Sequence, residues 1–170
     1  MLPTAKHFPG LGASATNTDD ADETVAVDRG ELDAVDLPPF RAAVDAGVPL
    51  VMTSHATYTA LDPRGPASQS RRGVTGLLRR ELGFDGVVIT DSLEAEAIRT
   101  RPSTPVATVR AMAAGSDLLL TTGRGSYTPV MEAIEARAAR DPRFDARVRE
   151  AVARVLRLQE RAARLRESRR

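Results

Sequence analysis

GVVITDS, residues 86 to 92, decides how the rest of the chain is read. Val87, Val88 and Ile89 follow one another with no polar residue between them, and Thr90-Asp91-Ser92 closes the run. A strand with one wet face alternates apolar and polar side chains, whereas an unbroken apolar run of this length belongs to a strand covered on both faces. Helix-periodic segments stand on either side, SRRGVTGLLRREL at 70–82 and TPVATVRAMAAG at 104–115. A strand between two helices is the signature of repeated β-α units around a parallel sheet.

The same alternation extends in both directions. LPTAKHF (2–8) and VPLVMTS (48–54) precede the central run and DLLLTT (117–122) follows it, which predicts four parallel strands at about 2–7, 48–54, 86–90 and 117–121. PPFRAAVDAG (38–47) and PVMEAIEARAA (129–139) supply further helices, and Gly47, Gly83 and Gly115 stand where glycines close helices. In the last segment Val148, Val152, Val155 and Leu156 form one apolar stripe among arginines, as a surface helix requires, with fraying expected from Arg161 to Arg170. Four β-α units are half of a (β/α)8 barrel, whose full form needs about 250 residues. An open half leaves two sheet edges unpaired. Either the chain folds as a small doubly wound sheet or it is part of something larger.

Composition narrows the function classes. The 170 residues are 42% hydrophobic, enough for one domain with a sizeable core. One lysine and 23 arginines nearly cancel 23 acids, and a net charge of +1 gives no general attraction to nucleic acid. There is no cysteine, so neither a disulfide framework nor a thiolate metal site is available, and no metal or other cofactor is expected. No run approaches the roughly 20 apolar residues of a membrane span, and Met1 is not followed by a basic and apolar leader. The chain reads as soluble, with export of a longer parent left open. With no tryptophan and six other aromatics, sugar contacts would be mainly polar.

In α/β folds of either kind, ligands gather at the carboxyl ends of the strands. Those positions hold Lys6 and His7, Ser54 and His55, Thr90 and Asp91, and Thr121 and Thr122. The convergence of four strand ends on one polar set outweighs any single residue. Taken alone, Asp91 reads as a helix N-cap with Glu94 as its capping-box partner, His55 as a satisfied core histidine, and the acidic loop Asn17–Glu23 as a solvated turn. On spacing alone the cap is the stronger reading, but a carboxylate held there is also placed as a nucleophile, since a helix terminus favours its ionised form, and the two roles can coexist. Gly123-Arg124-Gly125-Ser126 lacks the spacing and lysine of a phosphate loop and reads as a turn.

Together these residues resemble glycoside hydrolase family 3, and within it the bacterial β-N-acetylhexosaminidases. KHFPG (6–10) is similar to the family's lysine-histidine motif and LLRRELGFDGVVITDS (77–92) to its nucleophile signature. DLPPFRAAVDAGVPLVMTSHA (36–56) and RFDARVREAVARVLRLQ (143–159) resemble its later barrel segments and terminal helix. The resemblance implies a partial catalytic domain over residues 1–170, the second half of the barrel, whose partner is an upstream half and whose substrate is a carbohydrate. It implies Asp91 as the nucleophile of a retaining mechanism, Lys6 and His7 as ligands of sugar hydroxyls, and His55 as a residue near the same subsite. Two departures stand out. Where the hexosaminidases carry Asp-Ser-His, with the histidine as general acid/base, this chain has Asn17-Thr18-Asp19, which leaves Asp19 as the candidate acid. Glu94 occupies a position where the signature prefers a small or amide residue. The alternatives are a degenerate family member that only binds carbohydrate, and an unrelated regulatory α/β domain in which Asp91 is a cap.

Overall fold

The computed structural model describes residues 2–99, 103–123 and 125–167. Its centre is a parallel sheet of β1 (Thr4–Phe8), β3 (Leu50–Thr53) and β5 (Val87–Thr90), in the order β1-β3-β5. The two short strands β2 (Thr24–Val25) and β4 (Thr57–Tyr58) form a second parallel pair. The register runs from Leu50 against Val87 to Thr53 against Thr90, so the carboxyl ends of β3 and β5 finish level. Val51 and Val88 are fully buried, as their unbroken apolar runs require.

The fourth predicted strand is a correction. Leu118 bridges Ile89, but 117–121 forms no continuous ladder. Asp117 and Leu118 both donate to the Val88 carbonyl, Thr90 donates to the Leu118 carbonyl, and the next acceptor for Leu120 is the Thr90 hydroxyl at 3.0 Å. A side chain takes the place of a main-chain carbonyl, so the segment lies along β5 without being a full strand. The fold is therefore mixed α/β with a three-stranded sheet and a flanking extended segment, not four regular strands.

Helices cover the sheet. In chain order they are α1 (Arg29–Glu31), the π-type turn Leu32–Asp36, α2 (Leu37–Asp45), the π-type helix Arg72–Glu81, α3 (Glu96–Arg99), α4 (Thr104–Ala114), α5 (Tyr127–Ala138) and α6 (Pro142–Glu167). Gly47, Gly83 and Gly115 close helices at φ of 72°, 71° and 128°, a region open to glycine and costly for other residues. The principal core packs Phe8 and Val51 of the sheet with Leu37 and Phe40 of α2, Val74, Leu77 and Leu78 of the π-type helix, and Tyr58. A second cluster joins Met112, Val130, Ile134, Phe144 and Ala151 between α4, α5 and α6. Helix α6 continues through Glu167, and the last three residues of the tail expected to fray lie outside the described residues.

Candidate active site

Because β1, β3 and β5 are parallel, the residues that follow them lie on one rim. His7, near the end of β1, places Nε2 3.3 Å from Asp91 Oδ2, which directly follows β5. Both side chains are part-buried, at 25% and 19% exposure, so each keeps a face open to a ligand. Lys6 is exposed beside them. The KHFPG turn is held by close packing: Gly10 has φ of 138°, and a Cβ there would lie 2.5 Å from Asp36 Oδ1. The Gly10 carbonyl also accepts the buried Tyr58 hydroxyl.

Asp91 is not a helix cap. The chain turns through 91–95 before α3 starts at Glu96, and Asp91 Oδ1 instead accepts the N–H of Ser92 at 2.8 Å. One oxygen is thus committed to the backbone while the other faces His7. Glu94 does not pair with Asp91 either. Its Oε2 accepts from Thr122 N at 2.8 Å and from the Ser92 hydroxyl at 3.3 Å, tying this turn to the loop after Leu120. Burial opposes ionisation of Glu94, but donors from Ser126, Thr122, Gly123 and Ser92 together hold its carboxyl below the usual range. Within that loop Gly125 adopts φ of 81°, as a tight turn requires, while Arg124 lies outside the described residues.

The acidic loop reaches the same rim. Glu23 orders it from inside, accepting from Ala15 N at 2.9 Å and from the Thr16 hydroxyl, and these bonds lower the Glu23 pKa. At its far end the carbonyls of Thr18 and Asp19 accept from Ala97 and Glu96 at the start of α3. Asp19 is exposed, and its carboxylate bears electrostatically on both His7 and His55.

His55 requires a correction. It is fully buried and both ring nitrogens are engaged inside the chain: Nε2 contacts the Ser92 carbonyl at 2.9 Å and Nδ1 the Ser68 hydroxyl at 2.7 Å. A carbonyl can only accept, so Nε2 carries the proton and Nδ1 of the neutral ring accepts from Ser68. No nitrogen remains for a sugar hydroxyl, and His55 is enclosed by the chain and not exposed on the rim. Ser68 carries no sequence signal, and Ser92 enters only as the end of the 77–92 stretch with no role assigned; the bonds that give them meaning span 13 and 37 residues.

Burial lowers the pKa of both histidines, against the attraction of Asp91 and Asp19. A histidine whose folded pKa lies below its unfolded value near 6.5 binds protons more readily when unfolded, so stability rises with pH through that range. We predict that the melting temperature falls as pH drops from about 7 to 5. His55→Gln should flatten that slope, and an unchanged slope in that variant would show that His55 is not the buried neutral group.

The arrangement offers a part-buried carboxylate with one oxygen bonded to the main chain and the other facing a neutral imidazole, an exposed ammonium and a second carboxylate nearby. No group of three or more potential metal ligands is found among the described residues, and no helix among them is long and apolar enough to cross a membrane.

Comparison with known proteins establishes the family. Residues 1–158 match the glycosyl hydrolase family 3 N terminal domain. Among curated proteins, an uncharacterized secreted glycosyl hydrolase of Arthroderma benhamiae is 41% identical over 128 residues, 74% of this chain and 36% of its own length. A beta-hexosaminidase of Stenotrophomonas maltophilia is 36% identical over 140 residues, covering 81% of this chain and 41% of that protein. Among solved structures, a glycoside hydrolase family 3 beta-N-acetylglucosaminidase from Paenibacillus sp. superposes with a TM-score of 0.87 at 39% identity, over 96% of this chain and 31% of that one. A beta-N-acetylhexosaminidase from Beutenbergia cavernae gives 0.85 at 40% identity, over 92% of this chain and 46% of its own. The chain thus spans between 31% and 46% of the length of these four relatives. With a family match over residues 1–158, the chain belongs to glycosyl hydrolase family 3.

Proposed function

We propose that this chain supplies the nucleophile-bearing half of a retaining β-N-acetylhexosaminidase, acting on terminal amino sugars in β linkage. The observation that carries the reading is the approach of His7 to Asp91 across the ends of β1 and β5. Asp91 Oδ2 attacks the anomeric carbon as the bond to the leaving oxygen breaks, and a general acid gives that oxygen its proton. Water then displaces the aspartyl ester, returning Asp91 as a carboxylate and releasing the sugar with its anomeric configuration retained. Lys6 and His7 hold sugar hydroxyls, a cation and a directional donor on the same strand end. In this reading the three-stranded sheet and the segment along β5 are half of a (β/α)8 barrel, and the relatives' greater length supplies the other half. Half of the walls that would position and desolvate a sugar are then absent from these 170 residues, so little hydrolysis is expected of them alone.

The test is chemical. In the chain joined to an upstream barrel half, enzyme quenched during turnover of an aryl β-N-acetylglucosaminide should carry one sugar esterified to Asp91, seen by peptide mass. A protein that binds the sugar but never forms the ester is instead the degenerate carbohydrate-binding member, a reading favoured by the Asn17-Thr18-Asp19 loop, which lacks the family's histidine.

The same loop yields a second expectation. If Asp19 is the acid, Asp19→Ala should slow substrates with poor leaving groups by about 10²- to 10⁴-fold and activated aryl glycosides far less, because only the former need the departing oxygen protonated. Equal losses on both would assign Asp19 a structural role.

A further inference from the structure

Ser92 is bonded at each of its polar groups, and every bond leads to a different part of the rim. Its N–H fixes Asp91 Oδ1 at 2.8 Å, its carbonyl accepts His55 Nε2 at 2.9 Å, and its hydroxyl lies 3.0 Å from Thr122 Oγ1 and 3.3 Å from Glu94 Oε2. Behind it, with the tautomer set by the Ser92 carbonyl, the Ser68 hydroxyl donates to His55 Nδ1 on the far side of the ring. Thr90, the residue before Asp91, is held in turn by the Leu118 carbonyl. The carboxylate therefore sits at the end of a buried chain of bonds, Ser68–His55–Ser92, that begins in the short helical turn Ala67–Gln69 after β4 and ends at the residue after β5.

We propose that His55 is a positioning residue for the nucleophile: through Ser92 it orients Asp91 so that Oδ2 is the attacking oxygen. The inference rests on the proposed activity. Two features argue that this is more than core packing. First, a fully buried imidazole is a costly way to fill space unless both nitrogens are satisfied, and here one of the two bonds goes to the residue that anchors the carboxylate. Second, Asp91 has a choice of side-chain rotations, and the Ser92 N–H that selects one of them is aimed by the peptide plane whose neighbour His55 holds. A displacement of about 1 Å at such a carboxylate can cost on the order of 10²-fold in rate. Glu94 acts from the other side of Ser92, clamping the loop that begins at Thr121 to the same residue.

The experiment compares two replacements of similar size. Glutamine can donate from its amide nitrogen to the Ser92 carbonyl and accept from Ser68 through its amide oxygen, whereas phenylalanine fills the space and does neither. In the chain joined to an upstream half, His55→Phe should lower kcat by about 10²-fold with KM changed less than threefold, and His55→Gln should restore most of the rate. A second readout needs no turnover. In the 170-residue chain, nitrogen NMR of His55 should show a proton on Nε2 that exchanges slowly and an unprotonated Nδ1 across neutral pH. Equal activity in the Phe and Gln variants, or a proton found on Nδ1, would overturn the proposal. If wild-type turnover proved independent of Asp91, the functional reading would fail instead, and the NMR result would still report the tautomer.

Discussion

Asp91→Ala, in the chain joined to an upstream barrel half, is expected to lower turnover of an aryl β-N-acetylglucosaminide by on the order of 10⁴- to 10⁶-fold, the range found when a covalent nucleophile is deleted. The size follows from the mechanism. Without the carboxylate there is no ester intermediate, and an activated leaving group cannot compensate because the missing step is bond formation at the anomeric carbon. Affinity should change much less, since in the proposed reading Lys6 and His7 still meet the sugar and only a part-buried carboxylate is removed. The expected signature is a collapse of kcat with dissociation constants within about tenfold of the parent, which places the loss in the transition state. Substantial activity in Asp91→Ala would refute the nucleophile assignment and leave Asp91 as a structural turn residue. A parent protein that binds amino sugars without turning them over, equally with and without Asp91, would identify the degenerate carbohydrate-binding member.

How much of this site could be read from the chain depended on whether its bonds are local. Asp91 was legible because it follows an apolar run and His7 because it stands near the end of the first strand, TAKHF, and parallel strands place such ends on one rim whatever the loops do. The helices were legible for the same reason: their period and closing glycines are short-range signals, and α2, α4 and α5 lie where those signals put them. The fourth strand failed because Leu118-Leu119-Leu120 has a strand's composition while its pairing with β5 depends on the Thr90 hydroxyl, which no periodicity records. The capping box at Asp91 failed in the same way, since the pattern is correct but Glu94 finds donors 28 residues away at Thr122. For His55 the core reading taken from the residue alone was closer than the subsite reading taken from the resemblance, because burial overrules proximity: a ring with both nitrogens spent cannot bind a sugar.

Asp117 gives the largest expected effect on stability, and nothing local announces it. Its carboxylate is fully buried, accepts the Val88 N–H at 2.9 Å, and is ringed by Arg79, Arg147 and Arg154, the last at 3.5 Å. These partners come from the π-type helix 72–81 and from α6, between 30 and 38 residues away, so one side chain ties two helices to the start of strand β5. Arg79 extends the tie by donating to the carbonyls of Phe84 and Gly86. A buried ion pair need not stabilise relative to a well-packed apolar cluster, but removing one partner leaves the others uncompensated. Asp117→Ala would remove the buried carboxylate from three guanidinium groups, leaving Arg147 and Arg154 only Glu150 as an anion and Arg79 only the Phe84 and Gly86 carbonyls, and would leave the Val88 N–H unpaired at the sheet, which costs about 3–5 kcal/mol. For a domain of this size that is a fall of roughly 6–20 °C in melting temperature and a large part of a total stability of about 5–15 kcal/mol. Asp117→Asn should lose less, because its amide oxygen still accepts from Val88 while the charge is gone. Thermal and urea unfolding of the three proteins would separate the two contributions. A loss below about 1 kcal/mol in Asp117→Ala would show that the arginines relax to solvent, and that apolar packing between α4, α5 and α6 holds these helices without the charge cluster.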